Sequence, residues 1–123
     1  MPVVQSHRDV EVWGRAMDLA EQTYRLTRGF PKDELYRLTA QLTRAGASVP
    51  ANIAEGNGRA TRREYAHFAS IARGSALEVE TLLLLVIRLG YVTNEAAQPL
   101  LDLCDRVSRM LYSLHRKLNP PEP

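Results

Sequence analysis

TRREYAHFASIARGSALEVETLLLLVIRLG, residues 61–90, carries its own start, face and stop. Thr61-Arg62-Arg63-Glu64 has the form of a capping box, in which hydroxyl and carboxylate satisfy each other's free backbone donors. Behind it, Tyr65, Phe68, Ala72, Val79, Leu83 and Val86 recur at three- and four-residue steps or their multiples, which places them on one helical face. Gly90 can take the left-handed conformation that ends a helix, and Tyr91 is then placed to pack back on Val86. The stretch predicts a helix over residues 61–89.

Working outward, the same logic yields three more. Leu35, Leu38, Leu42, Ala45 and Val49 make a helix over about residues 32–56, opened near Pro31 and closed by Gly56-Asn57-Gly58. Val10, Trp13, Met17, Ala20 and Tyr24 make a first helix over about 9–28, ended by Gly29. Leu100, Leu103, Val107, Leu111, Leu114 and Leu118 make a fourth over about 94–118. Asn119-Pro120-Pro121 breaks it, and residues 119–123 are expected to fray. No segment alternates with period two long enough to be a strand. Four amphipathic helices on short turns predict an all-α, up-down-up-down antiparallel bundle, with residues 1–123 as one domain.

Composition excludes several classes. A chain of 123 residues can bury a core without staples. Its longest apolar run, Thr81 to Ile87, is far short of the roughly 20 residues that cross a bilayer, so no membrane partner is expected. Met1 to Asp9 has no secretory pattern, and a single cysteine, Cys104, permits no internal disulfide. These features point to the cytoplasm. The net charge of +2 is modest for a nucleic-acid binder, yet all but two of the 16 basic residues are arginine, whose planar fork suits phosphate and carboxylate.

Enzyme chemistry finds no residues to carry it. Glu64-Tyr65-Ala66-His67 is one Glu-x-x-His motif, but a di-metal bundle needs two plus further glutamates. Neither His7 nor His115 has the matching glutamate. No phosphate loop, nucleophile triad or dinucleotide fingerprint is present. No catalytic residue, metal site or cofactor is expected.

The second and third helices carry the remaining detail. Pro50 removes one hydrogen bond inside the second helix and is expected to bend it. Ala45, Gly46 and Ala51, with Ala69, Ala72, Gly74 and Ala76, predict a close approach of these two helices. Asn52 and Ser75 fall on the core stripes, where an unpaired polar group costs about 1–3 kcal/mol. They are expected to be largely buried in a polar network with Arg44, Glu55, Arg73 and Glu78. Arg59, Arg62 and Arg63 crowd the start of the third helix, where the macrodipole favours acids. Two readings stay open for them: an anion-binding patch for RNA or DNA, and a solvated charged turn.

The strings Phe30-Pro31-Lys32-Asp33-Glu34-Leu35, Ser48 to Arg59 (SVPANIAEGNGR) and Ala72 to Glu78 (ARGSALE) occur in order, with Val12-Trp13 before and Leu89-Gly90-Tyr91 after. Together they resemble the bacterial four-helix-bundle family first found encoded in intervening sequences of large-subunit ribosomal RNA genes. The resemblance spans residues 8 to 118 and extends to the accessory variability protein of diversity-generating retroelements. It implies a homo-oligomer, a ring of five subunits. For the accessory protein it implies binding to reverse transcriptase, a nucleic-acid enzyme, and to nucleic acid. The family implies no assigned activity. The resemblance also places Arg59 beside Glu55.

Assembly has a signature in the residues themselves. Leu77 and Leu84 point away from Val79, and Tyr91 extends their line. Val12, Ala16, Leu19 and Leu26 form a second stripe on the first helix beside that of Trp13. These two seams are expected at subunit contacts. The functional reading is a non-catalytic, self-assembling scaffold or adaptor, with or without nucleic acid; its alternative is a scaffold with protein partners only.

Overall fold

The computed structural model describes Ser6, His7 and residues 10–121. Within these residues the chain forms four α-helices and no strand: α1 (Glu11–Thr27), α2 (Ala40–Asn57), α3 (Arg62–Arg88) and α4 (Asn94–Leu118). Each helix packs on the next, and α4 closes back on α1, so α1 and α3 lie diagonally. Contacts between helix ends show that neighbours run antiparallel. Gly56 at the end of α2 meets Tyr65 and Phe68 at the start of α3, and Arg62 there reaches Lys117 at the end of α4.

The stop and start signals act as their chemistry requires. Thr61 Oγ1 accepts from the Glu64 amide at 3.1 Å, and the Glu64 carboxylate accepts from the Thr61 amide at 3.3 Å. Gly90 takes a φ of 78°, and the Tyr91 amide then donates to the Val86 carbonyl at 3.0 Å. Thr93 caps α4 by accepting from the Ala96 amide at 3.1 Å. The core holds Leu42, Val49 and Ile53 of α2, Val79, Leu83 and Val86 of α3, and Leu100, Val107 and Leu111 of α4. Burying each such side chain contributes about 1.5–3 kcal/mol.

On α1 the facing is the reverse of the sequence expectation. Val12, Ala16 and Leu19 are core residues, and Leu26 packs half-buried against them, so none is an open seam. Met17 and Tyr24 are exposed instead, with Trp13 and Ala20 half-buried. The two stripes are adjacent and both apolar, so period alone does not choose between them. The contact with α2 does. α1 closes onto Gly46 of α2, where an added Cβ would sit 3.2 Å from Thr23, so the stripe that carries Thr23 faces inward. Trp13 takes the margin, with its ring edge-on to His7 at 5.2 Å, and Tyr24 stands exposed.

The start of the second helix also differs. Lys32–Glu34 form a 3-10 turn and Leu35–Thr39 a π turn before α2 begins. Arg37 leaves helical geometry there (φ −119°, ψ −107°), so Leu35 is not carried round to the core and stands exposed. From Ala40 the α-helix runs unbroken through the buried Pro50. Gly46 serves the contact with α1, while Ala51 and Gly74 face outward. Ala45, Ala69, Ala72 and Ala76 are buried, and α2 also comes close to α3 at Gly56, where a Cβ would lie 2.7 Å from Phe68 Cβ. Asp9, the expected first residue of the first helix, and residues 122–123 of the expected tail lie outside the described residues.

Candidate nucleic-acid interface

The antiparallel arrangement brings the start of α3 and the end of α4 to one end of the bundle. Arg62 donates to the Lys117 carbonyl oxygen at 2.8 Å. That carbonyl is among the last of α4, which have no partner within the helix, so Arg62 closes it. His115 Nδ1 lies 3.0 Å from the Ala66 carbonyl oxygen and ties the same two helices one turn further in. Arg62 and Arg63 at the start of α3 and Arg116 and Lys117 at the end of α4 thereby belong to the same end of the bundle.

Their partners decide what the cluster can do. Arg116 donates to the Tyr112 hydroxyl at 3.3 Å, holding that phenol's pKa below its ordinary value through the hydrogen bond and then through charge. The Arg63 and Lys117 side chains have no hydrogen-bond or ion-pair partner among the described residues. Among the described residues, none of the four cations pairs with a carboxylate. Glu64, on the same turn of α3, is turned back into its cap. Arg59 is different: it pairs with Glu55 at 3.0 Å and lies 4.7 Å over the Phe68 ring, so its charge is offset and its side chain fixed. Arg59, Arg63, Glu64, His67 and Phe68 line a shallow groove of about 400 Å³ beside the cluster. Backbone donors at a helix start, with the unpaired Arg63 guanidinium beside them, suit a phosphate.

Arg116, Lys117 and His67 did not figure in the sequence reading of this site. The signal was available: in an antiparallel bundle the run His115-Arg116-Lys117 must end where the third helix begins. Among the described residues, no group of His, Cys, Asp and Glu side chains could hold a metal ion. Cys104 is buried, and burial, reinforced by the charge of Glu80, pushes its thiol up to about 12.

The polar layer between α2 and α3 is smaller than expected and centres on a residue the pattern did not single out. Ser48 Oγ lies 2.8 Å from Ser75 Oγ, and Asn52 Nδ2 donates to the Ser48 carbonyl at 2.8 Å and to its hydroxyl at 2.9 Å. Asn52 and Ser75 are half-buried, not fully enclosed, because the pair sits at the rim of the α2–α3 contact. Among the described residues, Glu55 joins Arg59 alone, and Arg44 and Glu78 stand exposed without ion pairs. Arg73 lies on the α4 side of α3, with its guanidinium 5.1 Å over the Tyr112 ring. Of the expected seam on α3, Leu77 and Leu84 are exposed at 39% and 50%. Tyr91 is not part of it. Its ring packs on Phe30 and its hydroxyl points at Glu34; partial burial first, and then the charge of Glu34, raise its pKa.

The sequence profile of the 23S rRNA-intervening sequence proteins matches residues 8–113. The chain belongs to that family. As a 23S rRNA-intervening sequence protein it shares its fold with a solved structure from Bacteroides thetaiotaomicron, a protein of unknown function from the S23 ribosomal protein family. The two are 24% identical and superpose with a TM-score of 0.77 over 85% of this chain and 98% of the other. No curated protein matches. No helix among the described residues of this family member is long and apolar enough to cross a membrane.

Proposed function

We propose that this protein is a non-catalytic helical adaptor that assembles with copies of itself and holds the phosphate backbone of RNA or DNA at its basic end. The observation that carries this reading is that Arg62, Arg63, Arg116 and Lys117 stand at one end of the bundle with no carboxylate partner among the described residues. Backbone contacts of this kind position a nucleic acid without reading its sequence. A nucleic-acid enzyme working on the bound strand is the partner this chemistry suits.

Assembly multiplies the patch. A ring needs two different surfaces on each subunit, since its contacts are heterologous. Leu77 and Leu84 on α3, and Met17 with Trp13 on the diagonal helix α1, supply two apolar surfaces on different sides of the bundle. A closed ring, five-membered on the family resemblance, repeats the four cations around one rim and sums their field.

The test is titration of labelled single-stranded RNA and DNA into the protein at low salt, beside Arg62→Ala/Arg63→Ala. The expected result is binding by the native protein that the double variant weakens strongly, since two of the four cations remain. Absence of binding by either leaves a scaffold with protein partners only.

A further inference from the structure

At the other end of the bundle, where α1 gives way to the 3-10 and π turns, lies an open groove of about 810 Å³. Tyr24, Phe30, Pro31, Leu35, Tyr36 and Ala40 give it apolar walls. Thr27 and Thr43 also line it, but each hydroxyl donates to a carbonyl of its own helix, at 2.9 Å to Tyr24 and 2.8 Å to Thr39. They add no free donor.

Its charge is of one sign. The charged residues lining it are Arg28 and Lys32, and neither side chain has a hydrogen-bond or ion-pair partner among the described residues. The nearby acid Glu34 is buried, accepting from the Leu38 amide and facing Arg37 and the Tyr91 hydroxyl. Asp33 is exposed but does not line the groove. Tyr36 is 90% exposed, held out by the turn in which Arg37 departs from helical geometry. An exposed tyrosine pair over an apolar floor, rimmed by cations, has the composition of a protein-binding hot spot.

We propose that this groove docks a segment of a partner protein whose apolar side chains are flanked by acidic residues. Its apolar anchors lie between Tyr24, Leu35 and Tyr36, and its carboxylates meet Arg28 and Lys32. The helix-in-groove mode fits a site built from one helix end and the turn that leads into the next. A nucleic acid suits it poorly, because the walls are mainly apolar and only two cations stand there to neutralise a phosphate backbone. The site is separate from the basic end, so the two proposals stand or fall apart.

The test uses two fluorescein-labelled synthetic peptides with leucine and phenylalanine at helical spacing, one flanked by glutamates and the other by lysines. Each is titrated into the full chain, while light scattering follows the assembly state. The glutamate peptide binds and the lysine peptide does not. Leu35→Ser/Tyr36→Ser, two exposed positions, weakens the glutamate peptide by about tenfold or more, the loss of one strong anchor. Arg28→Glu/Lys32→Glu abolishes that binding and admits the lysine peptide. Both variants keep native helicity, native mass and RNA binding at the opposite end. The proposal is overturned if neither peptide binds, if both bind alike, or if the serine variant leaves binding unchanged. A change of oligomeric mass in the serine variant also overturns it, since the groove would then be covered by another copy.

Discussion

Arg62, the first residue of α3, donates to the carbonyl oxygen of Lys117 at the end of α4, 2.8 Å away and 55 residues on in the chain. One guanidinium therefore closes a helix end and fixes where the free cations of both helices stand. Arg62→Ala is expected to fray the last turn of α4. Amide exchange at Lys117 to Asn119 should accelerate there while the α3 core stays protected. Uniform exchange across the bundle would show that the contact anchors nothing local.

Ser48 links two helices through one hydroxyl, which meets Ser75 and accepts from Asn52. Ser48→Ala is expected to cost about 1 kcal/mol, and Asn52→Ala a similar amount, because a half-buried bond is partly replaced by water. The double variant should cost less than the sum, since both changes remove the same contact. Urea denaturation measures all three. Full additivity would mean that the two side chains act independently.

Gly56 has no room for a side chain: an added Cβ meets Phe68 Cβ at 2.7 Å and Tyr65 Cδ1 at 2.9 Å. Gly56→Ala is expected to destabilise by about 1–3 kcal/mol, the usual cost of overpacking, despite alanine's better helix propensity. Gly74→Ala, where nothing lies within 4 Å, should be neutral or stabilising. Thermal melts of the two variants moving together would contradict this packing.

Cys104 keeps its proton in the folded state because burial first, and Glu80 second, oppose the thiolate. The folded pKa of about 12 stands above the ordinary 9.0 of an unfolded chain. The stabilisation that this group contributes is therefore complete below about pH 9 and is lost as pH rises towards 12. A disulfide reagent at neutral pH should label the native protein slowly and the urea-unfolded protein fast. Equal rates would place the thiol at the surface.

Much of the fold is legible in the residues, for identifiable reasons. The capping box at Thr61 and the glycine stop at Gly90 are local devices whose geometry does not depend on partners. The facing of α1 is not local: two adjacent apolar stripes compete, and Gly46 on another helix decides for the one that carries Thr23. The π turn at Leu35–Thr39 likewise breaks a leucine pattern that reads as continuous helix. At the basic end, Arg62 and Arg63 stand out because they oppose the helix dipole. Arg116 and Lys117 sit where cations are ordinary, at a helix C-terminus, and only the bundle's topology joins them to the site.

Self-assembly is tested at the exposed seam of α3. Leu77→Glu/Leu84→Glu should reduce the mass measured by light scattering at micromolar concentration to that of one chain, without loss of helicity. Both side chains are outside the core, so the fold does not depend on them. A native protein that is already monomeric would contradict the ring.

The most direct test of the account is the salt dependence of single-stranded RNA binding. If Arg62, Arg63, Arg116 and Lys117 of one subunit each meet a phosphate, log Kobs falls linearly with log salt at a slope of about −3, and more steeply when several subunits engage one strand. Arg62→Ala/Arg63→Ala should flatten that slope to about half. No binding at the lowest salt, or an affinity indifferent to salt, would contradict a nucleic-acid role for this end of the bundle.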